Sequence, residues 1–347
     1  MSFLDSDFKR AFAPIEKLFP TQSLKNSRIF LTGGTGFFGA WLIESFLWLK
    51  KNHDLGDSTL SILSRDPAAF AARFPELASR LPSADVDFVQ GDVCDFKFPD
   101  KKFTHIIHAA TPVIAKDVSN EELLKIIDQG TARVLEFAKR ISPQSFLYVS
   151  SGAVYGPQPA DLMLMPETQA AAPTSTYGKG KQMAEARCIK AHEDWGLKVV
   201  IARCYAFLGP YLATDSHLAV ASFTRDALQE RSIQVTGNGE TTRSYLYGAD
   251  LSAWLWNLLL RGRPAYPYNV GSERAFSLLN VAKEFASQAG TSVEVRSGHL
   301  GHLAGSPDRY IPSVRRASDE LGLRQTFDLA LAIERTLEWN RRKTSHV

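Results

Sequence analysis

Two apolar rhythms alternate along the first half of the chain. Short aliphatic or β-branched runs, RIFLT (28–32), TLSILS (59–64), VDFVQG (86–91), THIIHAA (104–110) and SFLYVSS (145–151), read as buried strands. Helical spacing predicts helices near 40–51, 121–141 and 177–195. Strands that are apolar throughout and separated by helices predict a parallel sheet covered on both faces. Right-handed crossovers bring the strands' C-terminal ends to one edge, where ligands of such sheets bind. After KVVIARCYAFLGP (198–210) the elements shorten and turn residues multiply, as in TGNGE (236–240) and RGRPAYP (261–267). Segments 211–247 and 262–315 therefore read as a smaller lobe over the sheet edge. The expected organisation is an N-terminal extension over 1–26, a parallel-sheet α/β domain over 27–205 to which a segment near 240–262 returns, and a smaller lobe in most of 206–347.

MSFLDSDFKRAFAPIEKLF, at the start of the chain, mixes charge into its apolar positions. It reads as an amphipathic helix packed on the body or on a second subunit, not as a signal peptide. WLIESFLWL (41–49) and AWLWNLLL (253–260) are too short to span a membrane. A net charge of +3 without a dense basic block argues against nucleic-acid and membrane partners. Cys94, Cys188 and Cys204 form no CxxC pair and no zinc spacing, so no metal site is expected and a reduced, cytoplasmic location is.

Candidate chemistry begins at LTGGTGFFGAWL (31–42), which sets Gly33, Gly36 and Gly39 in GxxGxxG spacing between a strand and a helix. Gly33 permits a tight turn, Gly36 lets backbone approach a pyrophosphate, and Gly39 lets the helix pack closely on the sheet. Thr35, Phe37 and Phe38 complete the turn, whose free N–H groups face the anion. A Rossmann-type doubly wound parallel sheet in the α/β class, with a smaller C-terminal substrate lobe, follows. At the tip of the second strand Ser64 and Arg65 precede Asp66, an order that favours NADP over NAD because an arginine suits a 2′-phosphate. Asp92 and Val93 in QGDVCD are candidate adenine contacts, and Ala109 and Ala110 in HAATP leave room for the dinucleotide.

TYGKGKQMAEA (176–186) carries Tyr177 and Lys181, four residues apart on one helix face. Tyrosine is a poor base at its ordinary pKa near 10, and a neighbouring ammonium is expected to lower that value. Ser151, at a strand end in YVSSGAVYG (148–156), is placed to hold a substrate oxygen while the tyrosine moves its proton.

TGGTGFFG, HAA, SSGAVYG, YGKGK, RSYLYGADL and YNVGS, in that order, resemble the extended short-chain dehydrogenase/reductases, specifically the NAD-dependent epimerase/dehydratase enzymes of nucleotide-sugar metabolism. The resemblance covers about residues 28–342. It implies Tyr177 as acid/base, Lys181 on the nicotinamide ribose, and Ser151 with Gly152 on the reacting sugar. It also implies Arg243, with Arg309 as a second clamp, on the substrate diphosphate, and commonly a homodimer built through two helices.

Family 4,6-dehydratases carry an Asp-Glu pair where Gly152 and Ala153 stand here, and related decarboxylases usually keep a glutamate at the Ala153 position. Gly and Ala neither donate nor accept a second proton. The expected reaction is therefore epimerisation of a nucleotide-diphosphate sugar through a 4-keto intermediate, with an NADPH-dependent 4-keto-sugar reductase as the alternative. A dehydratase, a small-molecule carbonyl reductase and a non-catalytic dinucleotide sensor rank lower. The chain departs from the family at Ala206, where Asn is usual, and at Ile127 in IIDQGT. Asn269 reads as a structural turn residue, His217 as a surface histidine, and Trp254 and Trp256 as core on a helix of the lobe.

Overall fold

The computed structural model describes residues 2–111, 118–296 and 309–344. Pro112 of HAATP and residues 305–308 of GSPDRYIP lie outside the described residues.

Seven strands form the central sheet: β1 (Arg28–Thr32), β2 (Thr59–Ser64), β3 (Val86–Gln90), β4 (His105–His108), β5 (Ser145–Ser151), β6 (Val199–Cys204) and β7 (Pro267–Val270). Their spatial order is 7-6-5-4-1-2-3 and every pair is parallel. Chain progression reverses between β1 and β4, which opens a crevice at their C-terminal ends. β7 extends this sheet although 262–315 reads from sequence as lobe.

The helices that position the site are α1 (Asp5–Phe12), α2 (Phe37–Asn52), α3 (Asn120–Ile141), α4 (Thr176–Trp195), α5 (Ala219–Leu228), α6 (Gly248–Arg261), α7 (Leu278–Ala289) and α8 (Leu329–Thr344). Strand side chains alternate between two cores with the period of two that a strand imposes. Ile29 and Leu31 join the core containing α2 and α6, whereas Phe30 joins that containing α3 and α4. α6 packs against α2, β5 and β6, so Trp254 and Trp256 fill the core on the sheet and not the lobe. Trp256 donates its indole N–H to Ser45 Oγ of α2 at 2.8 Å, which satisfies the buried polar edge.

α1 seats on the body. Phe8 meets Trp41 edge-on at 5.7 Å, and Phe12 stacks on Trp48 at 5.2 Å. The buried Asp7 carboxylate accepts from Tyr247 at 2.8 Å and pairs with Arg335 of α8 at 3.0 Å. Beyond the sheet edge, α5 and α7 pack beside a two-stranded ribbon, Ile233–Thr236 with Val293–Arg296. A three-stranded ribbon orders Phe276–Ser277, Thr242–Arg243 and Arg309–Tyr310. Among the described residues no helix is long and apolar enough to cross a membrane.

Candidate active site

Beneath the crevice lies the glycine turn. Gly33 has φ +75°, and a Cβ there would lie 2.5 Å from the Ala109 carbonyl carbon and 2.6 Å from Ala110 N. Only glycine permits both that backbone conformation and this close approach to the end of β4. A Cβ at Gly39 would collide with the Gly34 backbone, so this glycine seats α2 on the turn itself and not on the sheet. Gly36 is different: a side chain there would meet nothing closer than Gly33 O at 3.7 Å. The N-terminus of α2 has no side-chain cap and no acid in its first turn. Its free N–H groups and positive dipole end therefore face open space, a fit for an anionic pyrophosphate. Thr35 and Phe37 are half-buried at the lip, and Phe38 packs edge-on against Phe207 at 5.0 Å.

At the tip of β2, Ser64 is buried and its Oγ accepts from Asp66 N at 3.2 Å. The Asp66 carboxylate caps the helix Pro67–Arg73 by accepting from Ala69 N at 2.9 Å. Arg65 is 81% exposed, with its guanidinium 3.8 Å from Asp92. Asp92 also accepts from Cys94 N at 2.9 Å. Val93 packs against Gly130 of α3, where a Cβ would come within 3.0 Å of it. Burial, reinforced by Asp92, pushes the Cys94 thiol up to about 11.

The Ser151, Tyr177 and Lys181 side chains converge beside this crevice. Ser151 ends β5, and its Oγ accepts from Ala153 N at 3.1 Å. Tyr177 stands in the first turn of α4, which Ser175 caps by accepting from Gly178 N at 3.0 Å. A Cβ at Gly178 would strike the Ala153 carbonyl, so the glycine in YGKGK lets α4 press onto the turn after β5. One helical turn further, Lys181 is 2% exposed, and its Nζ donates to Val149 O and Thr111 Oγ1, both at 2.7 Å.

Electrostatics at the phenol departs from the sequence expectation. Burial pushes the Tyr177 pKa above its ordinary value, and hydrogen bonding to Ser151 opposes that rise. The Lys181 ammonium lies 5.8 Å from the Tyr177 ring centre. Two of its three protons go to the Val149 carbonyl and Thr111 Oγ1. Burial pulls Lys181 itself down to about 8.

Behind the trio lies a buried ion pair. Arg203 of β6 donates to Glu185 of α4 through Nε at 3.0 Å and Nη2 at 2.7 Å, and Ser150 donates to the same carboxylate. Burial favours loss of the Arg203 proton, but the Glu185 hydrogen bonds and charge outweigh it and keep the guanidinium charged. Arg203 also covers the Tyr155 ring at 4.7 Å. Tyr155 donates to Asn269 Oδ1 at 2.9 Å, and Asn269 Nδ2 donates to Met165 O and Ser313 O. Asn269 is thus structural, but it lies within β7 and not in a turn as YNVGS suggests.

Two aromatic residues that the sequence reading did not single out close the other side. A Cβ at Gly152 would lie 2.6 Å from Tyr205 Cζ and 2.7 Å from Tyr310 Oη. Those rings stack with centres 4.4 Å apart. Arg243 lies alongside, its guanidinium carbon 6.0 Å from the Tyr310 ring centre and its Nη1 donating to Thr242 O. Arg309 directs Nη2 to Met163 O at 3.3 Å. His217 is exposed. Among the described residues no group of three or more His, Cys, Asp or Glu is placed to hold a metal. The available signal for the aromatic pair was negative: a glycine directly after Ser151 marks space that something else fills.

Known proteins resemble this chain over most of its length. The dTDP-glucose 4,6-dehydratase of Streptomyces niveus is 26% identical over 319 residues, covering 90% of this chain and 93% of the relative. UDP-glucuronic acid decarboxylase 1 of Xenopus tropicalis is 24% identical, covering 99% of this chain and 78% of its own. Among solved structures, UDP-glucose 4-epimerase of Thermotoga maritima with UDP-glucose superposes with TM-score 0.78 at 20% identity, over 91% of this chain and 99% of that one, a likeness of fold. Residues 29–271 match the NAD dependent epimerase/dehydratase family, and the chain belongs to it.

Proposed function

We propose that this protein is a nucleotide-diphosphate-sugar epimerase acting at one sugar carbon through a transient 4-keto intermediate. The observation that carries the reading is a Ser151–Tyr177–Lys181 trio beside an uncapped helix N-terminus, with Gly152 closed to any acid side chain. A bound nicotinamide dinucleotide supplies the hydride acceptor and then the hydride donor. Gly33, Gly36 and the first N–H groups of α2 would hold its pyrophosphate, and Lys181 with Thr111 would hold its ribose.

Ser151 orients the sugar hydroxyl, Tyr177 takes its proton as the ketone forms, and Tyr177 returns it when the alcohol is restored. Burial favours the protonated phenol, so Tyr177 can take the sugar proton only after releasing its own to solvent, a loss that positive charge in the crevice would favour. Arg243 and Arg309 stand on adjacent short strands, a spacing suited to two phosphates, and a planar guanidinium pairs with phosphate oxygens. Two acids in sequence after Ser151 would serve dehydration. Here Tyr205 and Tyr310 fill that space.

The second reading is an NADPH-dependent reductase of a nucleotide 4-keto sugar. It is favoured by the exposed Arg65 and by Asp66, whose carboxylate is engaged in capping and is not free to accept a ribose hydroxyl. Incubation with a panel of nucleotide sugars and their 4-keto forms tests both, following nicotinamide absorbance and product stereochemistry together. Isomerisation without net cofactor change is expected, and Tyr177→Phe is expected to abolish it while retaining cofactor binding. Stoichiometric NADPH loss would transfer the assignment to the reductase, and near-normal turnover in Tyr177→Phe would end both.

A further inference from the structure

We propose that Thr111 is a positioning residue for the reaction: it takes one proton of the Lys181 ammonium, so that the proton left over keeps the single direction in which it meets the dinucleotide ribose. The proposal rests on the nucleotide-sugar reading above and deepens it. Thr111 lies just beyond β4, next to the Ala110 backbone that abuts Gly33. Its hydroxyl donates to Ala110 O at 2.7 Å. The Ala110 N–H donates to Thr32 Oγ1 of β1 at 3.2 Å. Ala110 is therefore held at both of its polar atoms, by β1 and by Thr111, against the glycine turn.

A lysine ammonium has three protons and no lone pair, so it enters every hydrogen bond as donor. The Val149 carbonyl of β5 takes one proton and Thr111 Oγ1 a second, both at 2.7 Å. The third meets no acceptor among the described residues. One hydrogen bond alone would leave the ammonium free to turn about its Nζ–O line. A second, from a different element, removes that freedom. Because the Thr111 proton is committed to Ala110, only its lone pairs can meet Lys181, and a hydroxyl that donates is polarised into a stronger acceptor. Such an acceptor also favours the charged amine against the opposing effect of burial. The short segment that lies against the glycine turn thus also aims the ammonium, joining the cofactor floor to the reacting trio.

Two variants test this. Thr111→Val removes the hydroxyl and keeps the branched shape, whereas Thr111→Ser keeps the hydroxyl and loses a methyl. The first measurement needs no substrate. In protein labelled with ¹³Cε-lysine, the Lys181 signal is assigned by its absence in Lys181→Met. It should titrate at about 8 in the wild type and in Thr111→Ser, and about one pH unit lower in Thr111→Val. On nucleotide sugars, Thr111→Val should lose roughly 10-fold in kcat with KM little changed. The alkaline limb of its kcat/KM profile should move to lower pH by a like amount, and Thr111→Ser should stay near wild type. If valine disturbs folding, Thr111→Ala is read in the same way. A Lys181 midpoint unmoved by loss of the hydroxyl, or a serine variant as impaired as the valine one, would overturn the proposal. Wild-type inactivity on every nucleotide sugar, with that midpoint responding, overturns only the substrate reading.

Discussion

Gly152→Ala tests whether an aromatic wall replaces acid chemistry at this site. The added Cβ would lie 2.6 and 2.7 Å from Tyr205 Cζ and Cε2, and 2.7 Å from Tyr310 Oη. Carbon contacts are comfortable from about 3.5 Å, so both rings must retreat together by almost that difference, roughly 0.8 Å. Tyr205 directly follows β6 and Tyr310 precedes the buried Ile311, so neither retreats into open space. Overpacking of this kind costs about 1–3 kcal/mol, a fall in Tm of several degrees. Activity should suffer more, because the displaced rings flank Gly152, next to Ser151, and a misplacement of about 1 Å costs on the order of 10²-fold in rate.

Thermal unfolding and epimerisation kinetics on the same preparation read both effects, while dinucleotide affinity, set by a turn on β1 and α2, should hold. Adding Tyr205→Leu opens the space and should recover most of the lost Tm. Gly152→Asp should be worse than Gly152→Ala and should yield no dehydrated product. A Gly152→Ala protein with unchanged Tm and full turnover would refute the wall.

Other substitutions separate the remaining parts. Arg203→Leu leaves Glu185 buried and uncompensated and should cost about 3–5 kcal/mol in urea unfolding, most of it recovered by also replacing Glu185 with Leu; additive losses would contradict this. Arg65→Ala should weaken NADP(H) binding by roughly 10- to 100-fold in a titration and leave NAD(H) unaltered, whereas equal losses would place Arg65 outside the 2′-phosphate contact. Lys181 titrates at about 8 in the folded chain against its ordinary 10.5, so the unfolded chain binds the extra proton between those values and folding gains stability as pH rises. Relative to Lys181→Met, the wild type should therefore gain roughly 3 kcal/mol from pH 7 to pH 11, and parallel pH profiles would refute the buried ammonium.

Much of this architecture is legible in local pattern. β1, β2 and β5 coincide with RIFLT, TLSILS and SFLYVSS, because each is a short apolar run ended by a turn or a polar residue. The trio was legible for a related reason: a strand end and a helix face fix Ser151, Tyr177 and Lys181 on their elements. Where the ammonium points was not. Four-residue spacing puts Lys181 on the face of Tyr177, but the Val149 carbonyl and Thr111, from other elements, take two of its three protons. Tyr205 and Tyr310 were illegible for the same cause at longer range, since their stack joins segments more than a hundred residues apart. α1 carries a readable apolar face, yet its partners, Trp41, Trp48 and Arg335, are fixed only by the fold.

Three polar residues of α4, Tyr177, Lys181 and Glu185, form one stripe at four-residue spacing, and each lies one turn further from the crevice. Burying such a stripe against a sheet would ordinarily expel the helix, since unpaired polar groups cost several kcal/mol each. The last three residues of β5 prevent this by taking the stripe one member apiece. Ser151 ends the strand and, by its effect on the phenol, holds down the rise in the Tyr177 pKa, the Val149 carbonyl accepts from Lys181, and the Ser150 hydroxyl donates to Glu185. Arg203 then neutralises the innermost charge. Polar pairing, helix docking and the aim of the reactive phenol are therefore one construction. A disturbance at Ser150 or Glu185, neither of which faces the crevice, reaches the chemistry by tilting α4 and carrying Tyr177 away from Ser151.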